Sequence, residues 1–232
     1  MNGMQSFRLW GAAAFASAVL MLICPQIVRA DEPPQVDKDG LQLKVNSKTR
    51  VLYVRSGASL SKYKRAHILD CHVEFRKGWQ DDFNRSVRDL SGRITQSDVE
   101  YIKDGLAEEF RKVFTKELQS GGYQITDDAG PDVLVLRPAL VNVVVTAPDL
   151  MTSGRSAMIV DSAGSMTLYM ELWDAATNQI LARVMDAQAD PRTFSQSANR
   201  VTNVAAARRI LGIWAKDLRE HLDAARAQAP SG

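Results

Sequence analysis

The chain is 232 residues long and carries 29 Lys and Arg against 27 Asp and Glu, a formal net charge of +2. Residues 1–30 hold Arg8 and Arg29 and no acid, so without them 27 bases face 27 acids. A neutral remainder lacks the basic footprint of a nucleic-acid binder and any strong overall attraction for anionic lipid. With Cys24 also gone, Cys71 stands alone, so no internal disulfide braces the fold and the core must do so.

At the N-terminus, Arg8 precedes an uncharged apolar run from Leu9 to Ile23, Pro25 breaks it, and Val28-Arg29-Ala30 leads into Asp31. That order predicts a secretory signal peptide over residues 1–30, cleaved after Ala30. The run is shorter than the roughly 20 apolar residues of a spanning helix. No stable membrane anchor is therefore expected after cleavage. Ile23, bulky and β-branched immediately before Cys24, argues against lipid attachment there. The compartment expected is a Gram-negative periplasm, with secretion beyond it left open.

Residues 31–48 carry few large side chains and read as a flexible lead segment. Val51 to Val54 is a short strand. Arg65 to Phe75 alternates as one strand, with His67, Leu69, Cys71, Val73 and Phe75 on the face predicted to meet the core. A long polar connection follows, from Arg76 to Arg93. Ser97-Asp98-Val99-Glu100 fits a capping box. It opens a helix whose stripe is Val99, Ile102, Leu106, Phe110, Val113, Phe114 and Leu118, closed by Gly121-Gly122.

Tyr123 to Thr126 is a short strand, and Asp132 to Thr146 a longer one. Pro138 inside the latter removes a ladder donor and predicts an edge position, a bulge or two consecutive strands. After a second long connection over 147–164, Met166 to Trp173 and Gln179 to Ala189 make a hairpin around Asp174–Asn178. A final helix runs from about Ala198 to Ala227, with Val201, Val204, Ala207, Leu211, Trp214, Leu218 and Leu222 along one face. The order predicts an α+β fold: a two-layer sandwich with a mainly antiparallel sheet and two long helices on one face. A parallel pair is expected where the first helix returns the chain to the sheet. Residues 49–227 would form this single domain, with 228–232 as a tail.

Three stretches carry a family resemblance: Leu60-Ser61-Lys62-Tyr63-Lys64-Arg65 leading into His67-Ile68-Leu69-Asp70, Gly130-Pro131-Asp132-Val133-Leu134, and Leu172-Trp173-Asp174 through Ala182-Arg183. Over roughly residues 50–225 the chain resembles the bacterial envelope family called domain of unknown function 3313. The resemblance implies an exported protein. Many members look like lipoproteins, from which Ile23 separates this chain. No activity is attached to the family, so none is carried over. The element order also resembles the small α/β domains of curli-secretion and outer-membrane assembly accessory proteins, an analogy of fold alone.

The densest cluster of reactive types is Cys71 with His67, His72 and Glu74. On a strand, Cys71 and His72 point to opposite faces, and His67 and Cys71 stand roughly 13 Å apart at about 3.3 Å per residue. Neither pair holds zinc without partners elsewhere. His72, Asp70 and Glu74 share a face and leave a weak metal site as an alternative. Ser59-Leu60-Ser61-Lys62 matches S-x-x-K, but its companion motifs are missing from the sequence. Asp81-Asp82 and Asp127-Asp128 read as solvated turn formers. No catalytic residue, metal or cofactor is assigned.

The leading expectation is a non-enzymatic domain that binds another envelope protein. Its contacts would come from the loops 76–94 and 147–164: Trp79, Phe83, Met151 and Met158 as apolar anchors, Arg76, Arg85 and Arg155 as polar ones. The alternatives are a small periplasmic hydrolase using His72 with Asp70, or Cys71, and a carrier of lipid or another small apolar ligand between sheet and helices.

Overall fold

A computed structural model describes residues 32–87, 90–145, 158–160, 164–190, 196–198 and 200–228. The signal segment 1–30, Met151 and Arg155 lie outside the described residues, as do the side chain of Met158 and the end of the tail.

The order is β1 (Gln42–Asn46), β2 (Arg50–Val54), β3 (Arg65–Ile68), β4 (His72–Phe75), α1 (Trp79–Ser86), α2 (Gln96–Ser120), β5 (Gln124–Ile125), β6 (Val133–Val145), β7 (Met158–Val160), β8 (Gly164–Asp174), β9 (Gln179–Ala189), β10 (Gln196–Ala198) and α3 (Arg200–Ala227). Eight strands form one sheet in the order β1-β2-β9-β8-β6-β3-β5, with β4 also paired to β6, while β7 and β10 make a separate two-stranded ribbon. The chain is α+β, as the sequence predicts. The sheet is mixed: β1-β2-β9-β8-β6 pair antiparallel, and the parallel pairing expected after the first long helix is present, with β3 and β4 parallel to β6 and β3 parallel to β5. The cause is α2, which carries the chain from one end of the sheet back to the other before β5 and β6 form.

The strand predicted over Arg65–Phe75 is two strands, and its core face changes midway. Ala66 and Ile68 are buried in the first half and Val73 in the second, so His67 and Leu69 do not lead into the core as predicted. Ile68 pairs with Leu136 and His72 with Ala139, so four steps along β3–β4 match three along β6. One extra residue inverts every side chain beyond it. Pro138 lies opposite this break. The Leu136 carbonyl accepts from the Leu69 amide, so by alternation the missing Pro138 N–H faces the same side, where the ladder is interrupted. A proline thus sits inside an interior strand because its neighbour bulges.

Helix α2 starts two residues earlier than predicted. Thr95, not Ser97, is the N-cap, and Asp98 closes the reciprocal pair that Glu100 was expected to make. The predicted stripe is buried at Val99, Leu106, Phe110, Phe114 and Leu118. These α2 residues from Leu106 onward share one contiguous core with Leu211, Trp214, Leu218 and Leu222 of α3 and with Leu136, Leu140, Leu168 and Met170 of the sheet. Val204, placed on the inward stripe of the last helix from sequence, is exposed instead.

Two segments expected to be irregular are tied down. The connection after Phe75 contains α1, whose Trp79 stacks on Phe75 with ring centroids 4.1 Å apart and donates its Nε1–H to the Val145 carbonyl at 3.0 Å. Asn84 accepts from the Ile94 amide and donates to the Ile94 carbonyl. The lead segment 31–48, expected to be flexible, carries β1 and a fully buried Leu41, and belongs to a compact unit that begins at Pro33. The Tyr53 hydroxyl donates to the Pro34 carbonyl, and Arg183 pairs with both Asp37 and Asp39.

Candidate functional site

The reactive cluster around Cys71 does not assemble. Cys71 is half-buried against the core, and burial pushes its thiol up to about 12, away from thiolate reactivity. His72 and Glu74 are exposed, and Asp70 is fully exposed beside Arg111. His67 lies instead near Asp127, at 3.6 Å. The predicted S-x-x-K lysine is engaged by a carboxylate, Asp174, and the Ser59 and Ser61 hydroxyls bond each other at 2.9 Å. Among the described residues no group of three His, Cys, Asp or Glu side chains could hold a metal ion.

The expected loop contacts fare unevenly. Trp79 is 4% exposed and packs with Ile94 and Val99, so it braces the fold and offers no anchor. Phe83 is partly buried against the same cluster. Arg76 and Arg85 both pair with Asp82, whose carboxyl they hold below the usual range.

The three stretches that carry the family resemblance meet at one end of the sheet. Asp174, buried at the end of β8, accepts from Lys62 Nζ at 2.5 Å and the Tyr63 hydroxyl at 2.7 Å through Oδ2. Its Oδ1 accepts the amides of Ala176 and Thr177, each at 2.9 Å, and so shapes the hairpin turn. Lys62, followed by the Tyr63 hydroxyl and the turn, holds Asp174 well below the usual carboxylate range. Arg65 forks onto Asp132, and a Cβ at Gly130 would collide with that guanidinium. Farther along the hairpin, buried Glu171 collects the Tyr169 hydroxyl, Trp173 Nε1 and Arg183. Each carboxylate of this set has its partners within the chain.

The opposite end of β8 is open. A cavity of about 450 Å³ lies between α2, α3 and the adjoining ends of β6 and β8. Its walls include Ile102 and Leu106 of α2, Ala207 and Ile210 of α3, Val144 of β6 and Met166 of β8. The volume falls within the roughly 300–1,000 Å³ typical of ligand pockets. Two backbone irregularities shape this end. Asn142, at φ 52°, marks a bulge that shifts β6 by one residue against β8 between Val141 and Val144. Gly164 lets the strands close up, since a Cβ there would stand 2.5 Å from the Val144 carbonyl oxygen.

Three carboxylates, Asp104, Glu108 and Glu109, line the cavity, and among the described residues no Lys or Arg does. Glu109 is paired with Arg208 of α3 at 2.5 Å. Asp104 and Glu108, exposed and one helical turn apart, have no ion-pair partner among the described residues. Between them on the helix lies Gly105, with nothing within 4 Å of the place its Cβ would take. A ligand space between sheet and helices was one alternative from the sequence, but none of the residues of this site was singled out there as a contact. The available signal was Gly105 itself, a glycine inside an apolar helical stripe where it weakens the helix by about 1 kcal/mol relative to alanine.

A second, smaller space of about 120 Å³ lies between α3 and strands β2, β8 and β9. Asp186, 4% exposed, borders it and accepts Trp214 Nε1 at 3.2 Å. Burial pushes the Asp186 carboxyl up, outweighing the charge of Arg50, which is itself paired to Asp217.

Among the described residues no helix is long and apolar enough to cross a membrane. A family model described as "Protein of unknown function (DUF3313)" matches residues 37–218, more than half of the chain. No curated protein matches. Among solved structures the chain is similar to a PelC dodecamer subunit from Paraburkholderia phytofirmans, at 10% identity and TM-score 0.37, covering 73% of this chain and 97% of that one. It is also similar to a minor lipoprotein from Acinetobacter baumannii, at 14% identity and TM-score 0.34, covering 71% and 95%. A DUF4136 family protein from Bacteroides thetaiotaomicron follows, at 10% identity and TM-score 0.33, covering 76% and 98%.

Proposed function

This chain belongs to the family of proteins of unknown function DUF3313, and from that premise we propose that it is an exported envelope protein acting as a non-enzymatic binding domain. The cavity between α2 and α3 is its binding site. The observation that carries this reading is a pair of carboxylates, Asp104 and Glu108, that have no ion-pair partner among the described residues and stand at the mouth of an apolar space. Elsewhere the buried carboxylates of the hairpin each have a partner within the chain: Glu171 has Arg183, Asp174 has Lys62 and Asp186 has Trp214. Nucleophilic catalysis needs a nucleophile within hydrogen-bond reach of a base. Cys71, His72 and Asp70 are not among the residues lining either cavity.

The basic start, apolar run and Ala30-Asp31 junction support export to the periplasm. The finer architecture in this reading is a two-layer sandwich, with α2 and α3 as one layer over the sheet. Arg76, Phe83, Arg85, Met151, Arg155 and Met158 stay candidates for secondary contacts, and Trp79 is set aside because it is packed inward.

Cell fractionation with N-terminal sequencing tests the address: a mature chain starting at Asp31 in the periplasm is expected, and an uncleaved cytoplasmic chain would overturn it. Native mass spectrometry of protein purified from its own envelope tests the binding role. A bound component lost in Gly105→Met is expected; bound material unaffected by that change would move the site elsewhere.

A further inference from the structure

We infer that the occupant of the cavity is a peptide segment of a partner protein in which apolar side chains are flanked by Lys or Arg. The inference rests on the binding role proposed above and adds the chemistry of the partner. Three features of the cavity lead to it, and each constrains a different part of the ligand.

The walls are aliphatic, with Ile102, Leu106, Val144, Met166, Ala207 and Ile210 facing one space of about 450 Å³. Burying apolar side chains there is favoured in proportion to the surface removed from water. The mouth carries charge of one sign. Asp104, Glu108 and Glu109 line the cavity without a lining cation among the described residues, and Arg208 engages only Glu109. An anionic head group would meet carboxylates there, whereas an ammonium or guanidinium would relieve two of them. On the helix itself, like charges four residues apart repel and are unfavourable. Asp104 and Glu108 stand in that relation with no ion-pair partner among the described residues, and a basic partner converts the repulsion into attraction.

Gly105 supplies the third feature. It lies on the cavity lining with open space above its Cα, so a chain can approach the α2 backbone between the two acids. A peptide laid along this opening reaches both acids while its apolar side chains enter the cavity. Charge complementarity of this kind sets partner choice and encounter rate as much as affinity.

The test uses the mature protein in two assays. In the first, a random heptapeptide display library is selected on the wild-type chain. In the second, the protein takes up the neutral dye Nile red, and displacement by a selected peptide or by lysophosphatidylethanolamine is followed. The variants are Gly105→Met, which fills the mouth while improving helix propensity, and the double change Asp104→Asn with Glu108→Gln. Expected are selected peptides with apolar residues next to Lys or Arg. Gly105→Met should abolish their binding, and the double change should weaken it about five- to tenfold while leaving dye uptake intact.

Selected peptides without basic residues, or indifferent to the double change, would overturn the inference. So would displacement of the dye by the lysolipid and not by peptide, which would assign the cavity to lipid and leave the binding role standing. If neither dye nor peptide responds to Gly105→Met, the binding role at this cavity falls as well.

Discussion

Strand β8 joins two ends of the molecule that handle charge in opposite ways. At Asp174 every acceptor is used: a lysine, a tyrosine hydroxyl and two backbone amides converge on one carboxylate. At Gly164, ten residues away on the same strand, an apolar space opens beside two carboxylates, Asp104 and Glu108, that no ion pair among the described residues neutralises. The contrast separates two reasons for placing charged groups together. A saturated cluster fixes geometry, because each member would be costly to leave unpaired in a low-dielectric setting. An unsaturated one beside apolar surface keeps its electrostatic capacity for something from outside. The stretches that carry the family resemblance fall at the saturated end, and the proposed site falls at the other.

The largest effect expected is at the saturated end. Asp174→Ala leaves Lys62, the buried Tyr63 hydroxyl and two turn amides without their acceptor, and should lower stability by about 2–4 kcal/mol. Urea unfolding measures it. A loss under 1 kcal/mol would mean that the clasp is ornamental and would break the comparison.

Acid separates Asp174 from a third carboxylate. The folded-state pKa of Asp174 lies below its ordinary 3.8, so its contribution is complete above that value and is lost as pH falls through the folded value. Asp186 has the opposite sign, because burial raises it. The folded state then binds its proton more tightly, and ionised Asp186 opposes folding at neutral pH. Asp186→Asn, whose amide oxygen still accepts from Trp214, should therefore gain stability at pH 7, by less than Asp174→Ala loses. The gain should fade as the pH is lowered to about 4. Unfolding curves at several pH values check both signs.

A smaller gain is expected at the open end. Gly105→Ala should stabilise the chain by about 0.5–1 kcal/mol, since the new methyl group enters free space on a helix. Thermal unfolding reads it, and a loss instead would show that the position is packed. The smallest expected signal is at Cys71: with its thiol raised to about 12, it should resist a disulfide reagent at pH 8 and react once the chain unfolds. Rapid labelling of the native protein would restore the cysteine as a reactive group.

Periodicity made α2, α3 and the β8–β9 hairpin legible in the sequence, because each buries one face with a regular repeat. What periodicity cannot register is a single inserted residue. Ala66 to Phe75 alternates without interruption as text, yet the break near Asp70 inverts its core face. Pro138 was the trace of that break, seen on the neighbouring strand. The cap of α2 was misplaced because two overlapping boxes, Thr95 with Asp98 and Ser97 with Glu100, compete, and the first wins. Around α1 the polar composition hid a legible spacing: Phe75, Trp79 and Phe83 recur every four residues, with Phe75 stacked on Trp79 and Phe83 tilted against it at 6.4 Å. The cavity is the hardest feature to read. Its walls come from four elements distant in sequence, and each taken alone looks like ordinary core.

The strap formed by the lead segment sets an order of events during synthesis. Asp37 is held by Arg183, 146 residues later in the chain, and β2 lacks its sheet neighbour β9 until that stretch has been made. A two-stranded hairpin alone is marginal in water. At about 5–20 residues per second, the first part of the fold to emerge waits roughly 7–30 s for the contacts that secure it. A segment made early is fastened late, because its ion pair and its sheet neighbour come from residues synthesised far downstream.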